Sequence, residues 1–105
     1  MKLKLLVILL SFVLIGGCSW IDLTAEGKNV RVMGRHDVAG CKLIGNTTAT
    51  VTDTVAGLKR KEHIIKDNLE TLARNAAANM GGDTIVPESK IENGKQTFNV
   101  YKCVR

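Results

Sequence analysis

The stretch EHIIKDNLETLARNAAANMGG, residues 62–82, decides the fold because it joins a helical pattern to a helix stop. Its apolar and small side chains recur at i, i+4, i+7, i+8, i+11 and i+15, which is one face of an α-helix. These side chains are Ile65, Leu69, Leu72, Ala73, Ala76 and Met80. Because the face ends in small residues, we expect that half of the helix to approach a sheet closely. Gly81-Gly82 supplies the stop, so the helix is predicted over 62–80.

The residues after the helix predict a β-hairpin. Asn93-Gly94 favours a two-residue type I′ turn, which places Glu92 opposite Lys95. Continuing that register pairs Ser89 with Phe98, Pro87 with Val100 and Ile85 with Lys102. One face of the hairpin is then apolar and suits a core; it contains Ile85, Pro87, Phe98, Val100 and Val104.

Further strands are predicted upstream of the helix. Residues 29–33 alternate between apolar and polar side chains, as a half-buried strand does. Residues 41–44 and 47–55 are rich in β-branched side chains, and Gly45-Asn46 between them indicates a bulge or a turn. The segment is therefore one bent strand or two short ones. The sequence predicts an α+β fold, with one helix packed on a small antiparallel β-sheet.

The beginning of the chain predicts a lipoprotein signal peptide. Lys2 and Lys4 precede an apolar run over 5–15, and Gly16-Gly17 stand before Cys18. This pattern is typical of a lipobox, in which Cys18 receives a diacylglycerol and the leader is cut after Gly17. A transmembrane helix needs about 20 apolar residues, more than this run supplies. An ordinary signal peptide that leaves Cys18 as a free thiol is the alternative.

The leader sets the expected organisation and location. We expect residues 1–17 to be cleaved, residues 18–28 to form a lipid-anchored tether and residues 29–105 to form one small domain. Membrane lipid bound through acylated Cys18 is the first expected partner. Ser19 follows Cys18, which in Gram-negative lipoproteins favours the outer membrane, with the domain facing the periplasm. Trp20 either lies at the membrane interface or is an ordinary tether residue.

Size and charge narrow the function classes. The whole chain has 105 residues and a net charge of +5, and loss of the 17-residue leader with its two lysines leaves 88 residues, 13 basic and 10 acidic. In a domain of this size, a single hydrophobic core gives only marginal stability. Nucleic acid is not expected as a partner, because the compartment lacks it and no recognition module is present. Residues 57–61 are predicted to form a basic connector that contains Lys59-Arg60-Lys61. We expect these residues to lie in a solvated loop, which is favoured over contact with acidic lipid or polymer.

Cysteine usage predicts one disulfide. Of three cysteines, acylation of Cys18 leaves Cys41 and Cys103, an even remainder in an oxidising compartment. The alternative is a metal site that combines this pair with His36 or His63, but no CxxC or HxxxH spacing supports it. No metal and no other cofactor is expected.

No catalytic constellation is recognisable. The carboxylates are scattered, and GxSxG, Walker and HExxH motifs are absent from the sequence. His36 lies in a polar turn and His63 at the helix start, and both are expected to be solvated. Gly81-Gly82-Asp83 follows a helix, so the macrodipole there has the wrong sign for binding an anion. We expect a protein that is not an enzyme.

Three segments together resemble a known family. They are Cys41-x-Leu43-x-Gly45, Leu72-x-Arg74-Asn75-x-Ala77-Ala78-x-x-Gly81-Gly82-Asp83 and Tyr101-x-Cys103. They resemble the YjeI-like lipoproteins, small proteobacterial proteins grouped as a domain of unknown function, in which Asn commonly stands where this chain has Asp83. That family is distantly similar to the disulfide-bonded α+β domain of the Rcs-pathway sensor lipoprotein, which implies an envelope role by analogy alone. The resemblance implies no reaction.

Two functions are compatible with these features. The first is a non-enzymatic envelope sensor or accessory protein that acts by contact with an outer-membrane protein or with peptidoglycan. The second is a small-ligand or metal-binding module, which needs a concave site with convergent polar groups such as Arg74, Asn75 or His36. Enzyme activity would require carboxylates or His63 to be brought together by the fold. The oligomeric state is left open.

Overall fold

The computed structural model describes residues 21–104, and within them it contains one α-helix and six strands. Helix α1 spans Glu62–Asn79, so it begins at the predicted residue and ends one residue before the predicted end. The strands are β1 (Arg31–Val32), β2 (Lys42–Thr50), β3 (Thr54–Val55), β4 (Leu58–Lys59), β5 (Thr84–Pro87) and β6 (Lys95–Lys102). Short 3-10 helices cover Gly27–Asn29 and Arg35–Val38.

The prediction of one helix packed on a small sheet is confirmed, although the sheet is mixed. The four strands lie in the order β1-β5-β6-β2, and β3 and β4 form a separate hairpin. β2 and β5 both run antiparallel to β6, whereas β1 runs parallel to β5, with Arg31 opposite Thr84. No tight turn joins β1 to β5, so the local sequence carries no signal for the direction of β1.

The segment before the helix resolves into one bulged strand and a short hairpin. β2 runs through Gly45-Asn46, and a register shift between Leu43 and Gly45 confirms the bulge. The basic connector predicted over 57–61 is wrong, because Leu58–Lys59 forms β4 against β3. Ala56 and Gly57, with φ of 53° and 79°, make the tight turn of this hairpin, in which both central residues have positive φ.

The turn of the C-terminal hairpin is confirmed, but its register beyond the turn is not. Asn93 and Gly94 have φ of 51° and 71°, and Glu92 pairs with Lys95. Farther along, Pro87 lies opposite Phe98 instead of Val100, a slip of two residues. Because the slip is an even number, every side chain keeps its predicted face.

The slip comes from residues 88–91, which leave the ladder. The N–H groups of Glu88 and Ser89 both donate to the carbonyl oxygen of Thr97, at 2.9 and 3.3 Å. The N–H of Thr97 in turn donates to Ser89 Oγ at 3.0 Å. These three hydrogen bonds replace the regular pairing of a strand ladder. They accommodate two extra residues between β5 and the turn.

The core lies between α1 and the sheet. The fully buried residues of the helix are Ile65, Leu69, Ala73 and Ala77, and they pack with Val30, Ala49, Ile85, Phe98 and Val100. The predicted stripe is correct at its beginning and wrong at its end, where Ala77 replaces Ala76 and Met80 is 42% exposed. Met80, the helix C-cap, keeps a right-handed helical backbone, and its methyl lies close to Gly45. Val104, predicted in the core, is 61% exposed because β6 ends at Lys102.

Candidate functional site

The predicted disulfide is present. Cys41 and Cys103 are joined by an S–S bond of 2.08 Å, with 62 residues of sequence separation. Cys41 immediately precedes β2 and Cys103 immediately follows β6, so the bond links the start of one strand to the end of its neighbour. Since both sulfurs are used, the alternative metal site with His36 or His63 is not formed.

Asn75, part of the family-like motif, binds the chain that precedes the sheet. Its Oδ1 accepts hydrogen bonds from the N–H of Thr24 at 2.9 Å and from the Thr24 hydroxyl at 3.1 Å. Its Nδ2 donates to the carbonyl oxygen of Asp22 at 2.9 Å. One amide side chain therefore makes three bonds to a segment more than 50 residues away.

The neighbouring Arg74 extends this contact along the same segment. Its Nε donates to the carbonyl oxygen of Val30 at 2.8 Å, and its Nη2 donates to that of Lys28 at 3.2 Å. We call the contact of Arg74 and Asn75 with residues 22–30 the clamp. Residues 22–28, which we expected to belong to a tether, are hydrogen-bonded to the folded domain.

A glycine makes the clamp possible. A Cβ atom on Gly27 would lie 2.4 Å from Asn75 Oδ1 and 3.0 Å from the hydroxyl of Thr24. The N–H of Gly27 donates to that hydroxyl at 2.9 Å, and the residue is buried. The sequence did not predict the clamp, because Asn75 lies off the buried helix face. The one indication that Asn75 has a role was its place beside Arg74 in the family-like motif.

The rest of the motif closes the end of α1 and holds the end of β6. The N–H of Gly81 donates to the carbonyl oxygen of Ala78, and the N–H of Gly82 donates to that of Ala77. With Gly81 at a φ of 84°, these two bonds form a Schellman motif. A Cβ on Gly82 would lie 2.4 Å from a methyl of Val100, so the glycine also permits close packing. This is the structural role expected for Gly81-Gly82.

Asp83 fixes the backbone next to the disulfide. Its carboxylate accepts hydrogen bonds from the N–H groups of Cys103 at 2.8 Å and Val104 at 2.7 Å, and from the hydroxyl of Thr84 at 3.0 Å. Partial burial alone would raise the pKa of Asp83. These three hydrogen bonds and the charge of Lys102 outweigh that effect, so the pKa lies below its ordinary value.

Two open grooves flank the β3–β4 hairpin. The first, of about 570 Å³, is lined by Asp53, Lys59, Glu62, His63, Ile65, Lys66, Lys90, Ile91, Asn93 and Gly94. The second, of about 660 Å³, is lined by Ile21, Thr50, Val51, Thr52, Val55, Arg60 and Asn68. Neither groove is lined by Arg74, Asn75 or His36, the residues from which we expected a ligand pocket. His63 and two carboxylates share the first groove.

Some of the predicted features lie outside the described residues. The signal peptide over 1–17, the lipidation site Cys18 and Trp20 precede residue 21, where the description begins. Among residues 21–104, no helix has both the length and the apolar character needed to cross a membrane. Over the same range, no three His, Cys, Asp or Glu side chains are grouped so that they could hold a metal ion. His36 and His63 are both exposed.

Comparison with known proteins supports the family resemblance. A family model described as a domain of unknown function, DUF4156, matches residues 21–103. The uncharacterized protein YjeI of Escherichia coli K12 is 32% identical over 101 residues, which cover 86% of each chain. The proteins of the same name from Escherichia coli O6:H1 and Shigella flexneri match equally well. No solved structure matches the chain, so the distant similarity to the Rcs-pathway sensor domain stays a prediction.

Proposed function

The chain belongs to the DUF4156 family, and from its lipobox-like sequence we propose that it is a lipid-anchored outer-membrane protein that faces the periplasm and acts by protein contact. In this role it serves as a non-enzymatic sensor or accessory protein. The sequence Gly16-Gly17-Cys18 supplies the anchor. The motif side chains Arg74, Asn75 and Asp83 support a structural use of the motif, because all three bind the backbone of this chain.

The observation that carries this proposal is the clamp. Only Ser19, Trp20 and Ile21 separate Cys18 from Asp22, whose carbonyl oxygen Asn75 binds. An extended chain advances at most about 3.6 Å per residue, so the domain of an acylated protein would lie within roughly 15 Å of its anchor. A short, fixed connection suits a protein that presents one surface at a set height above a membrane.

The edge of the sheet is where we expect a protein partner to bind. Among the described strands, β2 is the long one at an edge of the sheet, and it pairs with β6 on one side. An edge strand offers main-chain groups to which a partner can add a strand. The outer face of β2 next to that edge is polar, with Thr48 bonded to Thr97 through their hydroxyls at 2.9 Å.

The anchor is tested by fractionation and mass spectrometry. Cys18→Ala protein should leave the membrane fraction after signal cleavage, and wild-type protein should carry the mass of its acyl chains. Membrane retention of Cys18→Ala protein from which the leader has been removed would overturn the lipid anchor.

The contact role is tested by photo-crosslinking in cells. A photoreactive residue in place of Thr48, on β2, should give a specific crosslink to an envelope protein. The same residue in place of Lys66, on the exposed side of α1, is the matched control. Absence of any protein crosslink from β2, or capture of peptidoglycan alone, would contradict contact with a protein.

The clamp is tested separately with Asn75→Ala. We expect a loss of about 1–2 kcal/mol in the free energy of unfolding, because two donors and an acceptor in residues 22–24 lose their partner. Hydrogen exchange at the Thr24 amide should accelerate in the variant. Asn79→Ala, at an exposed position one turn along the same helix, is the control and should leave that amide protected.

The first groove favours a second candidate function, a small-ligand module. Its lining combines His63, three lysines and two carboxylates with the apolar side chains of Ile65 and Ile91. Polar groups of both charges beside apolar side chains suit a small polar organic ligand. Chemical-shift changes confined to this groove on titration with envelope metabolites would favour this function over protein contact.

A further inference from the structure

The chain enters the described domain beside the β3–β4 hairpin. Ile21, the first described residue, shares the second groove with Val55 of β3 and with Arg60, which follows β4. Three peptide bonds join Cys18 to Ile21, so their α-carbons lie at most about 11 Å apart. A membrane anchor on Cys18 therefore brings this side of the domain, and not the disulfide at the other end of β2, next to the lipid.

The hairpin presents apolar side chains on that side. Leu58 is 74% exposed and Val55 is 56% exposed, and the two residues are directly paired across the hairpin. They flank the tight turn at Ala56-Gly57. A two-stranded hairpin outside the main sheet has little stability of its own, and two exposed apolar side chains beside its turn contribute nothing to the core.

Two exposed lysines follow Leu58 along the chain, and hydrogen bonds hold the hairpin in place. Lys59 and Lys61 are exposed on the chain that leaves the turn. Arg60 between them is fixed differently, since its Nη1 donates to the carbonyl oxygen of Thr52 at 2.8 Å and its N–H donates to that of Asp53 at 2.7 Å. An apolar tip with adjacent lysines is the composition that binds an anionic lipid surface.

We propose that the β3–β4 hairpin is a membrane-docking element, which inserts Val55 and Leu58 into the lipid surface while Lys59 and Lys61 bind anionic phospholipid headgroups. The occupant of this surface is thus the membrane to which Cys18 is attached, so the inference rests on the proposed lipid anchor. Docking orients the domain with the disulfide away from the membrane and β2 directed toward the periplasm.

The test uses the mature lipidated protein reconstituted in vesicles of phosphatidylethanolamine and phosphatidylglycerol. Leu58→Cys carries an environment-sensitive thiol fluorophore, since the acylated Cys18 and the disulfide leave no other free thiol. Leu43→Cys is the matched control, because Leu43 is an exposed leucine, at 56%, near the other end of β2. We expect a blue-shifted emission and loss of quenching by iodide for the label at 58, with neither change at 43.

Two outcomes would overturn docking. One is a label at 58 that iodide quenches fully on vesicles that carry the protein, and the other is equal protection at 58 and 43. Failure of the anchor itself is recognised independently, because the protein would then lack acyl mass and would not float with the vesicles.

A charge variant keeps the proposal testable without relying on the apolar residues. Lys59→Glu should weaken the protection of the label at 58 on vesicles that contain phosphatidylglycerol, while flotation through the anchor is unchanged. Lys42→Glu, the same charge change at the disulfide end, should have no effect. Equal effects of the two variants, or no effect of Lys59→Glu, would contradict headgroup binding.

Discussion

At one end of β2 the chain is fixed by the Cys41–Cys103 bond and by the hydrogen bonds to Asp83, whereas at the other end the β3–β4 hairpin is held through Arg60 and exposes Leu58. We call these the disulfide end and the hairpin end. In the first, polar and covalent contacts are directed inward to the chain itself. In the second, the backbone is held by hydrogen bonds alone, and Leu58 is the most exposed of the large apolar side chains described. The two ends therefore differ in how the chain is fixed: the disulfide end is closed covalently, whereas the hairpin end is the part that we propose to bind lipid.

The largest expected effect is at the disulfide end. Replacing both cysteines, Cys41→Ser with Cys103→Ser, should lower the free energy of unfolding by about 4 kcal/mol, because a loop of 62 residues is no longer closed in the unfolded chain. Urea unfolding measures the loss. Val104→Ser, at the exposed neighbour of Cys103, is the control. A double variant as stable as this control would remove the basis of the comparison.

Overpacking tests how closely α1 approaches the sheet near the disulfide end. Ala77→Leu should destabilise by about 1–3 kcal/mol, because Ala77 is fully buried and has no room for three more carbon atoms. Ala76→Leu, on the neighbouring and partly exposed position, should cost clearly less. Thermal unfolding of the two variants measures the difference. A larger loss of stability for Ala76→Leu than for Ala77→Leu would support the buried face expected from the sequence.

Asp83→Asn should cost about 1 kcal/mol at pH 7, because an amide nitrogen replaces one acceptor and the charge is lost at a partly buried site. The pKa of Asp83 is lowered in the folded protein, so its stabilisation is complete above the unfolded pKa, near 4, and disappears as pH falls through the folded pKa. The stability difference from wild type should therefore close between about pH 5 and pH 2. Urea unfolding across this range checks it, and a constant difference would exclude the carboxylate as the cause.

The smallest effect on stability is expected at the hairpin end. Leu58→Ser should change the free energy of unfolding by less than about 0.5 kcal/mol, because the side chain is 74% exposed. Chemical unfolding in the absence of lipid is the measurement. A loss above 1 kcal/mol, as an order of magnitude for a buried contact, would make Leu58 part of the core and abolish the contrast between the two ends.

Local signals predicted most of this fold. The extent of α1, the turn at Asn93-Gly94, the bulge near Gly45 and the disulfide all follow from short patterns or from cysteine count. The register of β5 on β6 was not predictable, since it depends on Ser89 bonding to Thr97 outside the ladder. Periodicity identified the helix face but not its last member, because the buried residues continue in steps of four, from Leu69 through Ala73 to Ala77, instead of turning to Ala76.

The clamp and the parallel direction of β1 were the features that the sequence did not predict. A strand was expected over 29–33, but its pairing with β5, through the N–H groups of Arg31 and Met33, joins segments about 50 residues apart and is not encoded by a local pattern. Asn75 was considered as a group that could line a ligand pocket, whereas it binds the chain at residues 22–24. Such side chains acquire a role only when a distant segment is brought to them by the fold.

The clamp also has a mechanical consequence. A pull on the chain upstream of residue 21 loads the three hydrogen bonds of Asn75 first and the two of Arg74 next. Residues 42–102 lie inside the closed disulfide loop, so tension that enters the domain from residue 21 bypasses β2 and β6. The clamp would therefore break first under tension. Its release would lengthen the connection to the membrane by several residues, while the part of the domain closed by the disulfide stays folded.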